Sequence, residues 1–310
     1  MAFQTNWNQN LLEPGIRYYF MLGRKAAMGE AIYTRLLNTE NSEKAKETMR
    51  SYANLGPMVG MSHGGTIPAD TMLDGFPMIF QHVKYGKIIG IDAESIADDQ
   101  YGIVKKMAGL LPRSVQVTKE ILGHTPYNNA FTTNLSDGVP LIANNHPLIK
   151  AGGTASNILP TAFDPSYSCF SALATMLQTQ RDAAGQPLMY ADQQKIWLVH
   201  PDFYAPAIQA VDSTSTAIVE GSGTANANSA LVNPWKGKTT VISSPYLTDN
   251  DASFMIVVGG HEGYFFTRSE SGTPETWMER NPEVQYSKVT GRYSMGFADW
   301  RGIAGSAGAV

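Results

Sequence analysis

The stretch from Asp98 to His124, DDQYGIVKKMAGLLPRSVQVTKEILGH, constrains this chain more than any other. Val104, Met107, Ala108, Leu111, Val115 and Leu122 recur at three- and four-residue steps or multiples of them, so one helical face can carry all six. Lys105, Lys106, Arg113, Lys119 and Glu120 fall mostly off that stripe. Asp98 and Asp99 offer N-cap oxygens and negative charge to the free N–H groups of a first turn. Gly123, with Pro126 beyond it, is a stop signal. At 1.5 Å per residue the expected rod is roughly 35–40 Å long. Pro112 deletes one hydrogen bond and crowds the preceding turn, which predicts a kink at Leu110–Leu111 or two helices meeting there.

What surrounds the rod is mostly not helical. Residues 1–14 are polar and Asn-rich, the composition of an arm. Gly15 to Leu37 reads as helix weakened by Gly23 and Gly29, and the charges from Glu40 to Arg50 read as a solvated helix face. From Gly56 the chain is dense in Gly, Pro and Asp, and the following run MIFQHVKYGKIIGID partly alternates. Alternation puts Ile79, Val83, Tyr85, Ile89 and Ile91 on one side of a strand, with His82 and Lys84 on the other. Residues 56–97 thus form a long two-stranded excursion that returns directly into the rod. A hairpin of this kind is marginal in water alone and calls for support from another subunit.

Beyond the rod comes a loop-rich stretch, after which Asp164 as N-cap and Pro165 at N1 open a helix. Phe170, Leu173, Ala174 and Leu177 form its apolar stripe, and Gly185 ends it. Residues 195–199 read as a buried strand, and His200-Pro201-Asp202 turns into a short helix through Val211. The small, polar residues 212–232 have the composition of a loop. Strands are expected at Thr239–Ser243, Ser253–Val258 and Tyr264–Thr267. A turn-rich connection over 269–283 then leads to a strand pair, Val284–Gly291 and Tyr293–Asp299.

Composition and motifs exclude more than they propose. Charged residues are 16 % of the 310, against about 25 % on average. Such a surface suits a protein covered by partners, because interface cores are poor in charge and rich in aromatics. With a net charge of −4 and no basic run, the chain is unsuited to tight wrapping of nucleic acid. Cys169 is alone, so neither an intrachain disulfide nor a thiolate cluster is available. No apolar run reaches the ~20 residues of a membrane span, and no basic n-region with an apolar h-region opens the sequence. A chain made and kept in a cytoplasm is expected. The six histidines have no H-x-x-x-H spacing. Ser62-His63-Gly64-Gly65 is similar to an esterase oxyanion loop, but no G-x-S-x-G elbow accompanies it. No Walker loop or dinucleotide fingerprint occurs. No catalytic residue, metal or cofactor is expected. At the C-terminus, Arg292, Asp299 and Arg301 surround Phe297 and Trp300, and an Asp–Arg pair over the indole could serve within one subunit or between two.

The order of elements carries a resemblance. Its residues are Tyr85-Gly86 ahead of Asp98-Asp99-Gln100-Tyr101-Gly102, then Asn128-Asn129-Ala130-Phe131 and Asp137-Gly138 through His146-Pro147-Leu148. Gly152-Gly153 to Ser156-Asn157 and the terminal Phe297-Ala298-Asp299-Trp300-Arg301-Gly302 complete it. Over about residues 10–305 the chain resembles the major capsid proteins of tailed bacteriophages, nearest the Mu-type head subunits. The resemblance implies an α+β, Hong Kong 97-type capsid fold. Its parts would be an N-terminal arm (1–50), an extended β-hairpin or E-loop (51–97), a peripheral lobe with a long spine helix (98–134 and 263–295) and an axial lobe (135–262 and 296–310). It also implies hexamers and pentamers of an icosahedral shell around DNA, with separate scaffold, portal and decoration proteins and assembly in the host cytoplasm. A bacterial encapsulin-type compartment shares the fold. Met61, Ile67, Phe76, Phe80, Lys84, Lys87, Arg292, Asp299, Trp300 and Arg301 are the expected intersubunit contacts. The type member crosslinks through a hairpin lysine. Lys84 and Lys87 lie in the hairpin here, but no partner Asn or acid can be assigned.

Overall fold

The computed structural model describes residues 17–26, 31–53, 55–67, 69–92, 94, 103–213, 215–216, 231–233, 235–280 and 283–309. The strands in chain order are β1 (Asn38–Asn41), β2 (Lys46–Ala53), β3 (Leu73–Gln81), β4 (Val83–Asp92), β5 (His146–Pro147), β6 (Thr154–Ala155), β7 (Lys195–Val199), β8 (Ser215–Thr216) and β9 (Leu231–Val232). They continue with β10 (Thr239–Ser243), β11 (Ser253–Val257), β12 (Gly263–Glu270), β13 (Glu275–Arg280), β14 (Glu283–Phe297) and β15 (Ile303–Ser306). The chain divides into two compact units. One is built from Met1–Glu47, Ile79–His124 and Tyr264–Gly296, the other from Thr48–Met78, Thr125–Gly263 and Phe297–Val310.

The first unit pairs a five-stranded sheet with the long helix. The order is β1-β12-β14-β13, with β4 also on β14. Leu111 packs with Phe20 and Val289, and half-buried Val115 and Ile89 flank that cluster. The helix runs unbroken over Ile103–Asn128, through both expected interruptions. Pro112 makes no break there; a Cβ on Gly23 would lie 3.0 Å from its ring, so Gly23 lets residues 17–26, a short helix, approach it. Gly123 is not a stop either. A Cβ there would collide with Tyr33, so the glycine is a contact position inside the helix. Asp98 and Asp99, and the side chains of Val104, Met107 and Ala108, lie outside the described residues.

Four strand readings are corrected. The charged stretch Glu40–Arg50 is strand, not helix: β1 joins β12 in parallel, and β2 forms a separate two-stranded ribbon with β3. Charge reported exposure there but not periodicity. Between β3 and β4, His82 is a single non-strand residue, and the alternation slips at it. Phe80 and His82 turn inward while Ile79 and Val83 are half exposed. Past the slip β4 leaves the ribbon and pairs with β14 from Val83↔Tyr293 to Val284↔Asp92, so the excursion consists of β2, β3 and the 55–72 tip. The final strand pair is one strand, β14. Gly291-Arg292 is no turn, because Gly291 pairs with Tyr85 and leaves room for the Tyr293 ring. The expected turn-rich connection contains β13, which pairs with β14.

In the second unit, parallel β10 and β7 are followed by antiparallel β11 and β15. Phe170, Leu173, Ala174 and Leu177 of helix Tyr167–Thr179 and Ala207 and Val211 of helix Tyr204–Asp212 pack on Trp197, Val199, Met255 and Val257. The N-cap of the first of these helices is Ser166, whose Oγ accepts from the Cys169 N–H. Asp164 instead accepts from the Ala309 N–H at 2.8 Å. The helix ends at Thr179, and Gly185, at φ +82°, sits in a later turn. Fully buried Lys195 donates to the carbonyls of Tyr190, Ala191 and Gln193 at 2.8, 3.2 and 3.0 Å. Most of 212–232 lies outside the described residues.

Two buried amides hold the loop-rich stretch to the C-terminal strand. Asn157 accepts from the Ala143 N–H at 2.9 Å and donates to the Leu141 carbonyl at 2.7 Å, while its own carbonyl accepts from the Gly305 N–H. Gln180 bonds both the Gly302 N–H and the Ile303 carbonyl. Asn157→Leu keeps the volume but strands one buried and one part-buried backbone group. It should cost about 1–3 kcal/mol for each group, read as a fall in the urea midpoint; an unchanged midpoint would refute this role.

Candidate assembly surfaces

The β2–β3 ribbon ends in a tip whose side chains have little of their own chain to cover them. Met58 is fully exposed, Ile67 is 79 % exposed, and Val59, Met61 and Met72 are also exposed. Apolar residues clustered this way, rather than scattered, mark a contact surface. The tip is tied at its neck. Asp70 accepts from the Gly56 N–H at 2.8 Å and from the Lys150 ammonium at 2.8 and 2.9 Å. These bonds hold the Asp70 carboxyl down at about 2, the Lys150 hydrogen bond contributing most. Ser62 to Gly65 make an exposed turn at the tip, closed by a Gly65 N–H to Ser62 carbonyl bond.

The expected contact residues fall into three groups. Met61, Ile67 and Phe76 are exposed on the ribbon or its tip, as are Lys84 and Lys87 on β4 and Arg292 on β14. Phe80 is the exception, at 2 % exposure: its ring meets Tyr264 and Phe266 edge-on, which makes it a core residue of its own subunit. Asp299, Trp300 and Arg301 are engaged within the second unit. Arg301 Nη1 donates to both Asp299 oxygens, at 3.0 and 2.7 Å, and the guanidinium lies 4.6 Å from the Trp300 ring centre. On the indole stacks His146, at 4.6 Å and 13°, and Asp137 holds its Nδ1 at 2.8 Å. Phe76 shares a small cavity of about 30 Å³ with this stack. Sequence reasoning found the Asp–Arg–Trp end but missed Asp137 and His146, which only the fold brings there.

Two polar clusters of the first unit escaped the sequence reading. Glu120, buried on the long helix, accepts from the Ile32 N–H at 2.8 Å, the Tyr33 N–H at 3.2 Å and the Gln116 amide at 3.1 Å. Nearby Glu270 is paired with Lys119 and Arg24 and accepts from the Tyr293 hydroxyl. At the ribbon's base, Ser42 gives its proton to Glu47, so His82 Nε2 donates to Ser42, and Nδ1 lies 3.0 Å from the Ser294 hydroxyl.

The second unit carries a further surface along an uncharged helix. Helix Tyr167–Thr179 has no charged residue, and Ser168, Ser171, Ala172, Thr175 and Thr179 line a groove of about 790 Å³ along it. Small residues permit close approach of a neighbouring backbone. Among the described residues no group of histidine, cysteine and carboxylate side chains could hold a metal ion, and no helix is long and apolar enough to cross a membrane.

Burial lowers the pKa of His82, His124 and His261, the last to about 4. For His82, Arg292 and Arg268 lower it further, against an opposing effect of Glu47. The unfolded chain therefore takes up protons first. These rings stabilise the fold fully above about pH 6.5 and progressively less below it. Glu120, raised chiefly by burial, works in the opposite sense. The urea midpoint should fall between about pH 7 and pH 5, and His82→Gln with His261→Gln should flatten that dependence. A wild-type midpoint that does not move would contradict it.

Comparison with known proteins agrees with this picture. A family model described as phage capsid protein matches residues 76–306. No curated protein matches the sequence. Among solved structures, the procapsid of bacteriophage JBD30 is 12 % identical at a TM-score of 0.54, over 99 % of this chain and 77 % of that one. The capsid of cyanophage P-SCSP1u is 11 % identical at a TM-score of 0.57, over 90 % and 88 %. A virus-like particle from Pyrococcus furiosus is 8 % identical at 0.53, over 94 % and 98 %.

Proposed function

This chain belongs to the phage capsid protein family and has the α+β, Hong Kong 97-type fold, and from that premise we propose how it builds a shell. It is a structural subunit of the virion, and its work is assembly rather than catalysis. Copies gather into hexamers and pentamers that close around double-stranded DNA in the host cytoplasm, guided by a separate scaffold and completed by portal and decoration proteins. The arm is residues 1–50, and the hairpin lies within 51–97, its ribbon ending where β4 joins β14. The peripheral lobe comprises 98–134 and 263–295, and the axial lobe 135–262 and 296–310. Within the family, the ordered motifs from Tyr85 to Gly302 support a kinship with the Mu-type head subunits.

The observation that carries the mechanism is the ribbon tip. A two-stranded ribbon ending in exposed methionines and Ile67 is unstable in water by itself and gains apolar burial from a neighbouring copy. The uncharged face of helix Tyr167–Thr179 supports a second contact. Each contact is modest, and their repetition around a closed symmetric shell makes the assembly stable. The mildly acidic chain holds packaged DNA without gripping it, as a basic lining would.

Replacing residues 58–67 by a short Gly-Ser linker leaves β2, β3 and the Asp70–Lys150 tie in place. The variant should fold, with an unchanged circular dichroism spectrum and monomer elution, yet form no closed shells by electron microscopy. Normal shells would refute the role given to the tip. Protein cargo instead of DNA in wild-type particles would favour the compartment reading.

A further inference from the structure

Lys84 and Arg292 face each other directly across β4 and β14, and both are exposed. Like charges directly opposite in a sheet repel. Arg268, on β12 at the other side of β14, joins them: Arg268 and Arg292 both act on the buried ring of His82. No carboxylate of the described residues lies within 4 Å of any of these three cations. Two nearby acids are already committed. Glu275, which feels Lys84, is held by Lys288 at 2.6 Å. Glu47, which feels His82, is held by Lys44 at 2.9 Å. In a chain with 27 acidic and 23 basic residues, three unpaired cations on adjacent strands are not a consequence of composition.

We propose that the Arg268–Arg292–Lys84 row is the cationic half of an intersubunit ion-pair contact, filled by carboxylates of a second copy of this chain. The proposal rests on the assembly reading and specifies the chemistry of one of its contacts. A second copy is favoured over DNA by the setting. Ile88, on the same face of β4 as Lys84, is about half exposed, giving the apolar-with-charge composition of a protein contact. A phosphate-tracking surface would instead pair its cations with hydroxyl, amide and backbone donors. Pairing across copies also explains why the row persists: it repels itself in the free subunit and is neutralised only on assembly. Electrostatic pairing of this type fixes register and partner more than it adds affinity.

The test is the double charge reversal Lys84→Glu/Arg292→Glu in the full chain, beside the neutral Lys84→Gln/Arg292→Gln. The neutral pair should melt at or above the wild-type temperature, since the repulsion is removed, and the reversal near it, since its two glutamates repel in place of the two cations. Closed shells counted by electron microscopy should fall about tenfold or more for the reversal and less for the neutral pair. Wild-type assembly should weaken as salt rises from about 0.1 M to about 1 M. A zero-length carbodiimide crosslink should join Lys84 to a carboxylate of an isotopically distinct copy in mixed wild-type shells. Reversal variants that assemble like wild type would overturn the proposal. So would normal shells that merely retain less nuclease-protected DNA, which would assign the row to DNA. Wild-type protein that forms no shells would instead defeat the assembly reading itself.

Discussion

The first unit depends on how closely its neighbours can approach the long helix Ile103–Asn128. Two glycines set that distance. Gly23 admits the Pro112 ring, and Gly123 admits Tyr33, whose backbone N–H then reaches the Glu120 carboxylate at 3.2 Å. Burying a carboxylate is expensive unless its oxygens are hydrogen-bonded. Here three donors surround it, two of them main-chain N–H groups of the segment it fastens. Glycine thus creates the approach and Glu120 fixes the register. Enlarging Gly123 would push Tyr33 away and leave a buried acid short of partners.

The same contacts explain which parts of the fold were legible in sequence. The long helix, the buried strand β7 and the apolar stripe of helix Tyr167–Thr179 were readable because each repeats a hydrophobic period over many residues. The misreadings cluster where one residue type has two uses. Gly123 looked like a stop and is a packing position; Gly291 looked like a turn and lies mid-strand beneath Tyr293. The Glu40–Arg50 charges showed exposure without showing a period. His82 shifted the alternation by one residue, which moved Ile79 and Val83 outward.

The contact surface was less legible than the fold. Met61, Ile67, Lys84, Lys87 and Arg292 are exposed, as a contact role needs, whereas Phe80 is interior. Asp299, Trp300 and Arg301 are occupied by Asp137, His146 and one another inside one subunit. Sequence could place an Asp, an Arg and a Trp side by side. It could not show that residues about 150 positions earlier complete the stack. The resemblance to capsid subunits rested on the order of short motifs, several of which have structural work: Asn157 bridges the loop-rich stretch to the C-terminal strand, and Gly302 gives its N–H to Gln180.

The proposed assembly depends on an exposed ribbon being covered by another copy. Amide hydrogen exchange over residues 55–81, compared between free subunits and closed shells, measures this directly. The tip should exchange at nearly unprotected rates in the free subunit and be strongly slowed in the shell. The β7–β11 core should be protected in both. Equal exchange of the ribbon in the two states would contradict the account.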